Sequence, residues 1–475
     1  MSKILTDLSF LEKGKPFPPA AEFDRLERYK NNRLLFEDEH AEVYKEQFKR
    51  IERVIGNFND IVSYGVVFNY QKLMSLKIAD FVFGTPPDIT VSDDKKQAVI
   101  EKIIFDTDFF NKLYMSVIDI SRYGDSILQV SEKNNKARLD VTSPKYWFPV
   151  VNNDNIKEFM YHVFAWKYII DSEKKKYGLA VQIHKPDEPD FCEIQRYEYN
   201  GGNIGSKIVD TEKNQLEKTF GVCPIFTISN TPTSDSCFGI DDYASVDSII
   251  SELIIRVSQV CKVLDKFSSP SMSGPQSAMQ FNQQSGQWEL RMGDFFARTS
   301  SDDPEPKMIT WDANMEANFK VIELLTNQLY TISEMGSAVF GDLSHSTGTV
   351  ASGTALRRLM ISPLAKARRI SRQYDTTIKN IISLCAKIYG ENIEPTEISI
   401  KWHDGLPSDP KEEAEIMNIR TGSKATLSRY TAIRRMDNLS DSDTDAEMKL
   451  IEADEINDTF GNIPVNEPES VVVDE

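Results

Sequence analysis

The 475-residue sequence has only five cysteines, Cys192, Cys223, Cys237, Cys261 and Cys385, and no two of them stand as Cys-x-x-Cys. An odd, widely spaced set supports neither a disulfide framework nor a zinc site, so the thiols read as reduced and buried. The five histidines, His40, His162, His184, His345 and His403, form no His-x-x-x-His or His-Glu-x-x-His pair that could seat a metal. Gly348 and Gly353 have phosphate-loop spacing, but Thr354 and Ala355 follow where a lysine would have to reach the phosphates. Gly-x-Ser-x-Gly is absent, and no carboxylate spacing singles out an acid/base pair or a two-metal cluster. His403 and Asp404 are neighbours on an expected strand, where successive side chains point to opposite faces, so they are no dyad. No catalytic, cofactor-binding or metal-ligating residue is therefore expected, and the sequence does not read as an enzyme. No apolar run approaches the ~18 residues of a membrane helix, and Asp7 interrupts the start, so neither a membrane span nor a signal peptide is expected. Basic residues are in deficit too. There are 55 Lys and Arg against 73 Asp and Glu, a formal charge of −18, which disfavours an electrostatic grip on nucleic acid without excluding a protein that encloses it.

What the chain does have is length, an ordinary 40% apolar share and three long one-sided helical patterns. Two to four modules are expected at this length. Val246, Ile249, Ile250, Leu253, Val257, Val260 and Leu264 predict a helix over 241–267. Met315, Phe319, Ile322, Leu325, Leu329 and Ile332 predict a second over 312–340, and Leu356 to Ile388 a third over 354–389, each with apolar residues three or four apart. Pro363 falls inside the third pattern, where a proline removes a backbone bond and kinks a helix. Between the second and third helices lies Gly341-Asp-Leu-Ser-His-Ser-Thr-Gly-Thr-Val-Ala-Ser-Gly353, too small and polar to build a core. Charge is uneven: 354–390 holds eight basic residues against Asp375, whereas 437–475 holds 13 acidic residues against Lys449.

The remainder reads as α+β. Residues 1–36, with Pro16, Pro18 and Pro19, read as an arm. Helices are expected over 38–55, 69–81 and 108–122, the last capped by Asp106 or Thr107. Strands are expected at 89–91, 126–130, 137–141, 161–166, 178–183, 193–199 and 225–228, with Tyr199-Asn-Gly-Gly202 as a hairpin turn. Short strands at 278–282, 287–291, 294–298 and 307–311 make a small β-module between two long helices, a hairpin stalk with a module at its tip. A strand at 397–402, helices from 411 to 455 and an acidic tail close the chain.

Six short segments occur in a particular order: Ala79-Asp-Phe-Val-Phe-Gly-Thr-Pro-Pro87, Ser121-Arg-Tyr-Gly-Asp125, Pro144 to Pro149, Phe238-Gly-Ile-Asp-Asp-Tyr243, Ala351-Ser-Gly-Thr-Ala-Leu356 and Trp402-His-Asp-Gly-Leu-Pro-Ser-Asp409. In this order, around the helix–β-module–helix–loop–helix core, they resemble the portal proteins of tailed bacteriophages, most of all those of siphophages, over residues 25–455. The resemblance implies a predominantly α, α+β fold with an arm (1–36), an α/β wing (37–240), a first stem helix (241–267), a clip (268–311), a second stem helix (312–341), a tunnel loop (342–353), a kinked long helix and wing strand (354–408), crown helices (409–455) and a disordered acidic tail (456–475). It implies a ring of twelve subunits at one capsid vertex of the virion, made in the host cytoplasm. Double-stranded DNA would pass through it, and its partners would be the terminase large subunit, the major capsid and scaffolding proteins and a head-completion adaptor. Loop residues Asp342, Ser344, His345, Ser346, Thr347 and Thr349 would then face DNA, Glu316, Glu323 and Glu334 would be stem acids facing the channel, and Leu253, Val257, Ile322 and Leu329 would pack subunits together in the stem. His403 has no role in that scheme. Two other readings compete: a self-assembling scaffold or adaptor without a channel, for which a Gly/Ser/Thr loop between long helices is unnecessary, and a nucleotidyltransferase, against which the missing lysine and metal spacings speak.

Overall fold

The computed structural model describes residues 4–55, 60–63, 65–215, 219–268, 271–273, 279–283, 286–290, 307–309, 315–341, 358–403, 410–422, 425–436 and 441–461. The chain divides into two compact units, Met1–Gly405 and Leu406–Glu475. In the first, α1 (Phe23–Phe36) is followed by two single turns, α2 (His40–Val43) and α3 (Lys45–Phe48), and by strands β1 (Glu52–Ile55) and β2 (Asp60–Ser63), which pair antiparallel. The single helix expected over 38–55 is thus broken into turns and a strand. α4 (Tyr70–Phe83) starts where the Asn69 side chain accepts from Lys72 N, and it stops at Gly84, before Pro86 and Pro87.

Strand β3 (Asp88–Thr90) leads into α5 (Asp94–Thr107), capped by Asp93 through the Lys95 and Lys96 amides. The sequence reading missed this helix. It ends on Asp108, at a left-handed φ of 52°, and α6 (Phe109–Tyr123) begins at once. Asp106 is accordingly no cap: its carboxylate accepts from Lys136 Nζ at 2.9 Å and Tyr389 Oη at 2.7 Å.

Strands β4 (Asp125–Lys133), β5 (Lys136–Thr142), β6 (Trp147–Val151), β7 (Phe159–Asp171), β8 (Lys176–His184), β9 (Phe191–Asn200), β10 (Asn203–Gln215) and β11 (Ile225–Ser229) make two antiparallel sheets, ordered β10-β9-β8-β7-β6 and β11-β4-β5. The N-terminal segment is no free arm. Leu5 bridges to Val150 on β6, Pro16 bridges to Asn203 on β10, and Phe10, Leu11 and Phe17 enter the core under the five-stranded sheet beside Phe148, Val163 and Val181. These anchors are isolated in sequence, so they carry no periodicity to read.

α7 (Asp247–Ser268) is followed by short strands β12 (Ser271–Ser273), β13 (Met279–Asn282), β14 (Gln287–Leu290) and β15 (Lys307–Ile309), pairing β12 with β15 and β13 with β14. The strand expected at 294–298 lies outside the described residues. α8 (Met315–Ile332), the single turn α9 (Gly336–Val339) and α10 (Ile361–Ile388) follow, and β16 (Ser399–Lys401) pairs with β3. α4, α6 and α10 share the main core through Met74, Ile78, Leu113, Val117, Tyr374 and Ile378, all at most 1% exposed. The second unit holds α11 (Pro410–Thr421), α12 (Arg429–Met436) and α13 (Asp441–Gly461). α13 runs past 455, where the sequence reading starts a tail. The fold is thus mixed α+β and largely helical, as the sequence leads one to expect.

Two buried histidines give the five-stranded sheet a pH dependence. His162 and His184 are opposite one another on β7 and β8, and Trp147 Nε1 donates to His162 Nδ1 at 3.2 Å. Burial, and for His162 also the neighbouring His184, pushes both down to about 4. A depressed folded-state pKa means that the unfolded chain binds the proton first, so this stability is full above the ordinary value near 6.5 and drains away as pH falls to about 4. Each histidine contributes roughly 3 kcal/mol on that scale. Melting temperature should fall over that window, and a His162→Gln/His184→Gln variant should show a shallower fall; equal slopes in both proteins would refute the assignment.

Candidate functional site

Ser121-Arg-Tyr-Gly-Asp125 and Phe238-Gly-Ile-Asp-Asp-Tyr243, separated by more than 100 residues, dock on each other at the start of α7. Gly124 ends α6 at a φ of +87°, and its carbonyl lies against Gly239 so closely that a Cβ on Gly239 would sit 2.1 Å from it. Asp125 Oδ1 accepts from Gly239 N at 2.9 Å and Ser229 Oγ at 2.7 Å, while Oδ2 accepts from Tyr29 Oη at 3.2 Å. Burial pushes this carboxyl upward, and the bonds from Ser229 and Gly239 oppose it. Arg28 of α1 spans Asp241 at 2.8 Å and Asp247 at 2.7 Å. Asp241 Oδ1 also accepts from the amides of Tyr243 and Ala244, building the turn on which α7 starts. Asp242 accepts from Ser121 Oγ at 2.7 Å and Asn230 Nδ2 at 3.0 Å, and pairs with Lys366 Nζ at 2.9 Å. These carboxylates are occupied by donors that fix the helix, so the junction sets the direction of α7 rather than performing chemistry.

α7 and α8 then pack on each other. Leu253 and Leu329 are 3% and 0% exposed, and Val257 and Ile322 pack against the same core. Leu253 and Leu329 are thus buried within one subunit, which corrects the expectation that they pack against a neighbour, whereas Val257 and Ile322 are partly buried in the same seam. The face of α8 away from that seam is apolar instead. Val321 and Leu324 are 38% and 58% exposed, and their spacing of three puts them on one side of the helix. Glu316, Lys320 and Glu323 share the adjoining face, with Glu316 paired to Lys320 at 2.6 Å.

Glu334 does not belong to that acidic face. α8 stops at Ile332, short of the expected end near 340, because Glu334 and Gly336 adopt left-handed φ of 60° and 71°. The Glu334 carboxylate turns to Arg369 of α10 and pairs with it. Pro363 does mark a break: 358–359 are helical, Met360 is not, and α10 begins at Ile361, so the N–H that Pro363 lacks is the one that would have reached the Leu359 carbonyl across the interruption. The loop residues Asp342, Ser344, His345, Ser346, Thr347 and Thr349 lie outside the described residues. His403 gains a partner, Asp88 Oδ1 at 3.3 Å, which tacks the end of β16 to β3. The sequence reading missed the exposed face of α8, although Val321 and Leu324 were legible as apolar residues off the main stripe. It also missed Lys366, which only its place on the apolar side of α10 could have flagged.

Among the described residues no group of three or more His, Cys, Asp or Glu could hold a metal, and no helix is long and apolar enough to cross a membrane. What the geometry offers is a rigid helix start and an unpartnered apolar helix face, the equipment of an assembly subunit. A family model for phage portal proteins of the SPP1 Gp6-like type matches residues 20–459. The chain belongs to that family, and is therefore a structural protein of the virion with a portal, head–tail connector role. No curated protein matches the chain. Among solved structures, a chain from the virion of a native gene transfer agent particle is 12% identical, with 78% of this chain and 90% of that one covered and a TM-score of 0.42. A chain from the neck of an empty gene transfer agent particle, computed with C6 symmetry, is 12% identical over 78% and 90% at 0.44. One from the neck of the native particle, computed with C12 symmetry, is 11% identical over 77% and 89% at 0.42.

Proposed function

We propose that twelve copies close into a ring whose central channel carries double-stranded DNA into the capsid during packaging and out of it during ejection. The observation that carries this reading is the pairing of faces on α8, an exposed apolar stripe beside an acidic one. A neighbouring subunit covers the first, and the second faces the channel. In this reading α7 and α8 are the stem, 268–311 the clip, 342–353 the tunnel loop, the α+β body the wing and 409–455 the crown. The terminase large subunit and the head-completion adaptor meet the clip, and the ring seats in the shell of the major capsid protein, which forms around the scaffolding protein.

A ring of twelve has room for a duplex. Helices pack ~8–10 Å apart, so one inner ring of twelve has a circumference of ~115 Å and an axis-to-axis diameter of ~37 Å. Subtracting about 10 Å for the helix bodies leaves a bore of about 27 Å, enough for a duplex. Twelve copies at −18 carry a formal −216, so the ring as a whole repels a duplex with a phosphate charge every ~1.7 Å rather than capturing it.

The tunnel loop follows the same logic: hydroxyls touch phosphate briefly, and only His345 could add positive charge, when protonated. Purified protein should appear in electron micrographs as closed rings with a central opening; a solid or open assembly would favour the rival adaptor reading. Replacing Ser344, Ser346 and Thr347 together with lysine should leave the rings intact and cut DNA packaging or retention in a reconstituted system. Normal packaging by such rings would mean that the loop does not face DNA.

A further inference from the structure

Lys366 lies in the second turn of α10 with its side chain 6% exposed, and its ammonium has two partners. Asp242 Oδ1, beside the start of α7, is at 2.9 Å, and the carbonyl oxygen of Ser333, the residue after α8, accepts from it at 3.3 Å. One buried cation thus joins three helices far apart in sequence. The sign is right for both partners, since the carbonyls at a helix C-terminus carry partial negative charge and lack intrahelical donors. Asp242 does not need Lys366 to satisfy its hydrogen bonds, because Ser121 and Asn230 already donate to it.

A buried ion pair adds little stability over a well-packed hydrophobe of the same size; what it adds is a defined direction. Direction matters here because Ser333 opens the break between α8 and α9. Glu334 and Gly336 hold left-handed φ, Met335 is fully buried, and Phe340 stacks back on Tyr330 at 5.1 Å between ring centroids. A non-glycine residue with positive φ persists only where its surroundings over-determine it. The surroundings that do so come largely from α10: Lys366 on Ser333 and Arg369 on Glu334, one turn apart.

We propose that Lys366 is a positioning residue, a latch that fixes the α8–α9 break to α10 and to the start of α7. Through it, a displacement of α8 is passed to the first turns of α10. The end of α8 and the start of α10 are thereby tied to one cation. Any consequence for DNA rests on the channel reading above; the latch itself does not.

Hydrogen exchange on the full-length assembled protein tests it. Lys366→Met should raise amide exchange across 333–341 at least tenfold, with exchange in α6 and the five-stranded sheet unchanged, because only the break loses its clamp. Lys366→Arg, which keeps the cation, should recover most of the protection, as a merely space-filling role would not. If Lys366→Met fails to fold, Lys366→Met/Asp242→Asn removes both charges, leaves no unpaired ion, and should show the same local rise. Unchanged exchange across 333–341 in whichever of these variants folds would overturn the latch. A local rise accompanied by normal DNA packaging would uphold the latch and count against the channel-loop reading instead.

Discussion

Replacing Val321 and Leu324 with aspartate should yield a folded 54.1 kDa subunit that no longer assembles. Both side chains project from α8 away from the seam with α7, at 38% and 58% exposure in the isolated chain, so charge there is harmless until a neighbour covers it. Covered, an unpaired carboxylate costs about 3 kcal/mol or more. At two per contact, that weakens each junction by well over a hundredfold. Light scattering should report closed assemblies for the parent protein and monomers for the variant, with matching far-ultraviolet circular dichroism. The same substitution at Leu253 should instead unfold the subunit, since that side chain is 3% exposed within one chain. Assemblies of unchanged size from the Val321/Leu324 variant would mean that the ring is built on another face.

Gly239→Ala should be close to intolerable. The added Cβ would sit 2.1 Å from the Gly124 carbonyl oxygen, 2.6 Å from that of Asn230 and 2.7 Å from the Asn230 nitrogen. All three are backbone atoms, and Asn230 N is itself bonded to Gly124 O at 2.7 Å, so no side chain can swing aside. Relief requires moving α6 or the start of α7, breaking the Asp125, Asp241 and Asp242 bonds together, and a loss of at least ~4 kcal/mol is expected. Gly201→Ala is the control: its φ of +58° is strained for alanine, but nothing lies within 4 Å, so about 1 kcal/mol is expected. Denaturant midpoints compare the two, and a Gly239 variant no weaker than the Gly201 variant would refute the tight docking.

The long helices were legible because their apolar residues recur at helical spacing, and the family because six short segments keep their order. What escaped had physical reasons. α5 carries a helical pattern in Val99, Ile100, Ile103 and Ile104, but only Asp108 separates it from α6, a boundary that local sequence does not mark. Periodicity also cannot say which apolar face is covered within the chain and which is left over. Leu253 and Ile322 are on the main stripes and go to the intramolecular seam, whereas Val321 and Leu324, off the stripe, stay exposed. The early end of α8 rests on Glu334, a residue type that seldom adopts positive φ. That choice reflects α10 packed against it, a tertiary fact invisible in local sequence. The junction could be read only as two separate motifs, since nothing in either says that Gly124 and Gly239 touch.

The N-terminal segment has a consequence for which subunits meet and how. An exposed sheet edge offers unpaired N–H and C=O groups to any other edge, a hazard for a protein made in many copies. Here the two edge strands of the five-stranded sheet, β6 and β10, are each met by one short stretch of the same segment: Val151 N bonds to Leu5 O at 3.0 Å, and Ile204 N to Lys15 O at 2.9 Å. About a dozen residues thus stopper both ends of the sheet. Strand-to-strand pairing is hindered where these bonds fall, which favours recognition between copies through side-chain surfaces over edge-to-edge joining.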